Sequence, residues 1–203
     1  MMRKSLLYKT LWLVPLATLV LTGCGTTPQS QFYTLNSLSN AQTAANSIAP
    51  DPSLSIGIGP VVLPEVLDRP QIVIRTGPNK LRIDEFHRWA GRLDEDIARV
   101  VAQNISQMLS TEKVAVYPWD VSFKPRYQII MDIQHFEGRL DQKDVLLEVF
   151  WKVIEPQKQT TLRTKRSVIK EPLPAKDYDI LMIAKSRVIE NLSKLIAKEI
   201  LSL

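Results

Sequence analysis

Between Tyr127 and Val153 the chain alternates apolar and polar residues in two successive runs, and few patterns restrict a fold so tightly. Tyr127, Ile129, Met131 and Ile133 share one face, with Gln128, Asp132 and Gln134 opposite. After a polar turn at 138–144 the alternation resumes with Val145, Leu147, Val149, Trp151 and Val153. A period of two sends successive side chains to opposite faces of a strand, so the pattern predicts a hairpin with one buried face. That face has to be covered. Two stretches at helical spacing supply the cover. Leu93, Ile97, Val100, Val101, Ile105, Met108 and Leu109 form one stripe within 93–110. Leu181, Ala184, Val188, Leu192, Leu195 and Ile196 form another within 177–201. Asp94, Glu95 and Asp96 fall in the first turn of the earlier helix, where negative charge suits the helix dipole.

Shorter strands are expected at 32–35, 53–59, 71–75, from Leu81 onward, at 114–117 and at 160–169, with a turn at 77–80. The segment 36–52 is rich in Ser, Ala, Asn and Gln and reads as a flexible loop. Together these elements predict an α+β fold, a two-layer domain with a mostly antiparallel sheet and two main helices packed on one face. One domain spans 32–203, without internal repeats.

The first thirty residues carry a different message. Arg3, Lys4 and Lys9 open the chain with no acid before the cysteine, and an apolar run of roughly 11 residues follows. A membrane-spanning helix needs about 20 apolar residues, and Pro15 interrupts this shorter run. Leu21-Thr22-Gly23-Cys24 then resembles a bacterial lipobox. Small residues let extended backbone enter a peptidase cleft, and the Cys24 thiolate would take up the diacylglycerol. The alternative is an ordinary signal peptide with a chance cysteine. The expectation is therefore a signal peptide at 1–23, acyl chains (palmitate among them) on Cys24, and a polar tether over 24–31. Gly25 follows the cysteine, where enterobacterial lipoproteins kept at the inner membrane resemble one another in having aspartate. Its presence points to the outer membrane, facing the periplasm.

Cys24 is the only cysteine of the chain. A mature form starting there has no disulfide, thiol nucleophile or cysteine metal ligand, and must hold together by core packing alone. Removing 1–23 leaves about 180 residues, enough for one good-sized domain. The net charge of +5 shrinks as well, because that segment holds three of the 26 basic residues and no acid, against 21 acids overall. The mature chain is close to neutral, and its exported compartment excludes nucleic acid as a partner.

Catalytic chemistry is hard to assemble from these residues. His87 and His135 are the only histidines, and His135 continues the Tyr127–Ile133 face as a core-edge residue. Zinc needs three or four ligands at workable spacing, and no Gly-x-Ser-x-Gly elbow exists for a serine nucleophile. Gly57-Ile58-Gly59 lacks the third glycine and lysine of a phosphate loop and reads as a strand-end turn. No enzyme activity, cofactor or metal is expected. The basic stretch Arg163, Lys165, Arg166 and Lys170 reads as protection of an exposed strand edge, with a lipid-headgroup site as the alternative.

One segment is denser in chemistry than packing requires. Pro64 and Pro70 bracket a turn holding Asp68 and Arg69, Arg75 follows on a strand, and Phe86-His87-Arg88-Trp89-Ala90 lies beyond. Arginine and tryptophan are enriched at binding hot spots, so Asp68, Arg69, Arg75, Phe86, Arg88 and Trp89 are candidate partner contacts. A charge-capped turn feeding a strand, with an aromatic packed beneath the first helix, is the structural alternative.

The string from Leu63 to Ala90, Phe32-Tyr33-Thr34-Leu35 after the lipobox, and Val116-Tyr117-Pro118-Trp119 together resemble the PqiC (YmbA) family of ABC-type transport auxiliary lipoproteins. The resemblance covers nearly all of the mature chain. It implies an outer-membrane lipoprotein that partners an MCE-domain, PqiB-like protein anchored in the inner membrane. Through it the chain would work indirectly with a PqiA-like membrane protein, moving lipid between the membranes and preserving envelope integrity. Sister copies of the chain are a further candidate partner. The family carries no catalytic assignment. Two rival readings are a lipid carrier with an internal acyl-binding cavity and an envelope hydrolase.

Overall fold

The computed structural model describes residues 28–37 and 51–203. The signal segment, Cys24 and most of the 36–52 loop lie outside the described residues. The elements are β1 (Gln31–Tyr33), β2 (Ile56–Val62), β3 (Gln71–Gly77), β4 (Lys80–Trp89), α1 (Leu93–Met108) and β5 (Val114–Val116). They continue with β6 (Tyr127–Arg139), β7 (Asp144–Glu155), a 3-10 turn (Pro156–Lys158), β8 (Thr160–Pro172) and α2 (Tyr178–Leu201).

The alternating runs form the hairpin they predict. β6 and β7 pair antiparallel from Gln128 opposite Ile154 to Arg139 opposite Asp144, and β8 extends the ladder beyond β7. Ile129, Met131, Ile133, Val145, Leu147, Val149 and Val153 are fully buried beneath the helices. Both helices contribute their stripes to the same core, which makes this an α+β two-layer fold. The eight strands make a mixed sheet. The longest ladders are antiparallel, while β1–β4, β2–β5, β2–β6 and β3–β6 run parallel. Parallel neighbours need crossover connections, and α1 lies within the one that takes the chain from β2 to its parallel neighbour β5.

β6 organises the sheet. Its first half pairs with β2 and its last two residues pair with β3, on the edge away from β7. A register shift between Ile133 and His135 interrupts its alternation. Phe136 therefore takes the next core position, and the His135 side chain stays 40% exposed. The histidine expected to continue the core face leaves it because one extra residue in a bulge reverses the facing of those after it.

Two further expectations are corrected. Leu195 is 42% exposed and Ile196 buried, because the buried stripe runs through Leu192, Ser193, Ile196, Ala197 and Ile200 and leaves Leu195 beside it. Gly57-Ile58-Gly59 lies inside β2 and not at a strand-end turn. A Cβ on Gly57 would sit 2.5 Å from the Trp119 ring, and Gly59 takes φ +110°, in the region L residues rarely adopt. Both glycines serve close approach and a bulge, since the register with β6 shifts between Ile58 and Val61. β8 is an edge strand as expected. Its basic residues reach neighbouring acids, Arg163 and Lys165 to Glu199 at 3.3 and 3.2 Å, and Arg166 to Glu148 at 2.8 Å.

Candidate functional site

The chemistry-bearing residues gather where the N-terminal strand joins the domain. β1 runs parallel to β4, with Gln31 beside His87, Phe32 beside Arg88 and Tyr33 beside Trp89. The residues that follow are fastened to both helices. Asp96 accepts from the Leu35 backbone N–H at 2.7 Å and from Thr34 Oγ1 at 3.1 Å. Arg99, ion-paired with Asp96, donates to the Leu35 carbonyl at 3.0 Å. Asn36 N–H donates to Ser186 Oγ of α2 at 3.1 Å. Asp96, read from sequence as a dipole partner, thus also holds the entry of the chain.

Beside this seam stands an aromatic and acidic cluster. The His87 ring stacks on Tyr178 at 3.7 Å, with Tyr33 5.8 Å from His87 and 5.9 Å from Tyr178. Asp84 lies beneath. Its Oδ1 accepts from Phe86 N–H and His87 N–H, both at 3.1 Å, and sits 2.9 Å from His87 Nδ1. Its Oδ2 accepts from the Tyr178 hydroxyl at 2.6 Å. Burial alone would raise the carboxyl, but donors from Tyr178, His87 and Phe86 hold it down to about 2. Burial and the same carboxylate push the Tyr178 phenol far above its ordinary value. The arrangement looks like an acid–histidine pair, but its hydroxyl partner already donates to the carboxylate.

The turn between β2 and β3 forms as its prolines predict. Leu67 and Asp68 N–H groups both donate to the Pro64 carbonyl, and Trp89 N–H donates to the Pro70 carbonyl at 2.7 Å. Asp68 is exposed and Arg69 is half-buried. Arg69 Nε is buried without a hydrogen-bond partner among the described residues, an unfavourable state.

The other candidates divide between faces. Strand alternation sends Arg88 and Trp89 opposite ways. Trp89 is 5% exposed and stacks near Phe136 in the core at 6.5 Å. It is a packing residue, and its large ring is what the covered face demands. Arg88 shares its face with Phe32, which is 64% exposed. Phe86 is half-buried. Arg75 is spent internally, donating to Glu137 from Nε at 2.8 Å and from Nη2 at 2.6 Å. Glu137 also lies 3.2 Å from His135 Nδ1 and accepts from Phe136 N–H at 3.0 Å. Burial opposes its charge, yet Arg75 and His135 keep this carboxyl below its usual range.

Two buried ionisable groups, Glu137 and Lys185, were not singled out from sequence. Lys185 is 1% exposed; its Nζ donates to the Phe136 carbonyl at 2.7 Å and lies 3.9 Å from the Phe136 ring centroid and 5.4 Å from that of Trp89. Burial pushes the amine down to about 7, with Glu137 opposing. Its spacing carried a signal, since Lys185 follows Leu181 by four residues and precedes Val188 by three, squarely within the apolar stripe. Among the described residues no group of three or more His, Cys, Asp or Glu is placed to hold a metal.

The fold and this seam define a small α+β domain with a clasped N-terminal strand. The model of the family described as ABC-type transport auxiliary lipoprotein component matches residues 33–197, and the chain belongs to that family. This bears out the resemblance to PqiC (YmbA) lipoproteins. Two solved structures share the fold. The crystal structure of an uncharacterized protein is 17% identical at a TM-score of 0.69, over 85% of this chain and 99% of its own. A protein from Xanthomonas campestris is 15% identical at a TM-score of 0.63, over 82% of this chain and 93% of its own. No curated protein matches the sequence significantly. Among the described residues no helix is long and apolar enough to cross a membrane.

Proposed function

We propose that this chain is a non-enzymatic outer-membrane lipoprotein, anchored through Cys24 and facing the periplasm, that serves an MCE-type lipid transport system. The observation that carries the reading is positional: the auxiliary-lipoprotein match begins at Tyr33, nine residues after the lipobox cysteine. Its protein partner is an MCE-domain, PqiB-like protein, with a PqiA-like membrane protein engaged indirectly. The turn at Asp68 and Arg69 forms the contact surface together with Phe86, Arg88 and the exposed Phe32. Arg75 and Trp89 support it from within. The prolines limit the ordering entropy lost on docking.

The rival lipid-carrier reading fares less well. Three of the cavities among the described residues measure about 20, 130 and 200 Å³, each below the roughly 300–1,000 Å³ of small-molecule pockets.

Two results test the proposal. Cys24→Ser should leave the precursor unprocessed and unlabelled by radioactive palmitate, and normal labelling would refute the anchor. Mature protein carrying Arg69→Ala and Arg88→Ala should keep its melting temperature while capture of the MCE-type protein from envelope extract weakens. One hot-spot arginine is worth about 2 kcal/mol or more, roughly thirtyfold in affinity. Wild-type affinity in the folded double variant would remove this surface.

A further inference from the structure

One end of the sheet collects the β3–β4 turn, the β6–β7 turn and the β8–α2 loop, because Gly77 pairs with Lys80, Arg139 with Asp144 and Asp144 with Pro172. Four exposed basic residues stand on this end: Lys80, Arg82, Lys143 and Lys176. None of them is in an ion pair among the described residues. Two of the acids nearby are engaged, while Asp179 in the first turn of α2 is exposed. Asp177 Oδ1 caps α2, accepting from Asp179 and Ile180 N–H at 2.9 and 3.1 Å. Asp141 accepts from Gln142 and lies in the field of Arg139.

Between the loops lies a shallow groove of about 130 Å³, lined by Leu140, Lys143, Leu173, Pro174, Ala175 and Lys176. The Leu173 N–H donates to the Lys143 carbonyl at 2.8 Å and ties its two walls together. Its lining is largely apolar, with two lysines. A neighbouring recess shares Leu140, Leu173 and Lys176 and adds Arg82. A phosphate with a short apolar stem matches that chemistry.

The direction of β1 decides which surface meets this end. Because β1 is parallel to β4, the chain preceding Gln31 approaches from the Lys80 end of β4. Lys80 lies seven residues before His87, at most about 23 Å along a strand whose register bulges between Asp84 and Arg88. Cys24 likewise precedes Gln31 by seven residues, which reach at most about 25 Å. The tether is therefore just long enough to bring its acyl chains level with the basic end. The Trp119–Val121 loop, packed on Gly57 near the start of β6, lies at the opposite end of the sheet, about 40 Å along β6 from Arg139.

We infer that the end bearing Lys80, Arg82, Lys143 and Lys176 is a membrane-docking surface for anionic phospholipid headgroups, which stands the domain upright on its anchoring leaflet. The inference rests on the anchored-lipoprotein reading. Each basic side chain close to an anionic surface strengthens attachment about fivefold, and the tether removes the cost of finding the surface. The opposite end then faces away from the membrane.

The test uses full-length acylated protein in vesicles of phosphatidylethanolamine and phosphatidylglycerol, with a nitroxide on a fraction of the headgroups. A fluorophore is attached to the thiol introduced by Asn79→Cys at the β3–β4 turn or, separately, by Val121→Cys at the far end. Quenching at position 79 should exceed that at 121 by about threefold or more. The contrast should collapse in 0.5 M salt, in phosphatidylcholine vesicles, and in the Lys143→Glu/Lys176→Glu variant. Lys124→Glu/Lys198→Glu, away from this end, should preserve it. Equal quenching at both positions overturns the inference, as does a contrast indifferent to lipid charge. No contrast combined with weaker capture of an acidic envelope protein by the Lys143→Glu/Lys176→Glu variant also overturns it, in favour of a protein contact. Vesicle attachment that survives high salt in any of these cases leaves the anchor standing. Attachment lost in high salt, with no acyl mass on Cys24, refutes the anchor instead.

Discussion

Replacing Lys185 with methionine is expected to raise the stability of the domain by about 1–4 kcal/mol, the range seen when buried ionic groups give way to apolar ones. Lys185 is enclosed by Phe136, Trp89 and α2, and its nearest full charge of opposite sign is already held by Arg75 and His135. Methionine keeps the length of the side chain and its contact with both rings. Glu137 keeps its donors from Arg75, His135 and Phe136 N–H. The pH dependence gives a second readout. With the folded amine down at about 7 and the ordinary lysine value at 10.5, the unfolded chain binds more protons between those values. Stability must then rise with pH across that window. Below pH 7 the amine is charged in both states and the full cost of burial is felt. Denaturant titrations at pH 7 and pH 9.5 should show wild type gaining stability with pH and Lys185→Met gaining less. A variant less stable than wild type, with an unchanged pH slope, would show that the ammonium's contacts outweigh its desolvation.

Asp84→Ala is expected to lower stability by about 3 kcal/mol, since one carboxylate satisfies two backbone N–H groups, a histidine ring and a buried phenol. For a domain of this size that is about 6–12 °C in melting temperature. The sign with pH follows from the lowered carboxyl. Its contribution is complete above the unfolded value near 3.8 and is lost as pH falls toward about 2. Wild type should therefore shed stability over that interval, and the variant less. Local consequences are sharper than global ones. Tyr178 belongs to α2 and His87 to β4 beside β1, so removing Asp84 loosens the cluster against which Tyr33 packs. Hydrogen exchange at Tyr33, His87 and Trp89 should accelerate more than at Ile129 or Val149 in the sheet centre. Uniform acceleration would mean that Asp84 supports the whole fold and not the seam.

The family, the hairpin and the helix layer were legible from sequence because each is a local or periodic signal. Alternation from Tyr127 to Ile133 and from Val145 to Val153 states which side of each strand meets the core. The stripes ending at Leu109 and Ile196 state which side of each helix does. Proline spacing announced the turn at Asp68. The candidate contact set was legible only as a neighbourhood. Arg88 and Trp89 adjoin in sequence and part in space, because neighbouring strand residues face opposite ways and only the tertiary layer says which face is covered.

Strand neighbours were decided by tertiary structure alone. Nothing in Gln31–Tyr33 names β4 as its partner, and nothing in β6 says that its far edge is shared by β2 and β3. Parallel pairing joins segments distant in sequence through crossovers, so no local signal encodes it. The bulge at His135 is of the same kind: one extra residue moved a histidine from the core face to a carboxylate and gave its place to Phe136. Lys185 and Glu137 became meaningful only once burial was known, because a charge inside an apolar stripe acquires its partners from other elements. Periodicity thus determined what must be buried, and the long-range assembly of the sheet decided which polar groups were buried with it.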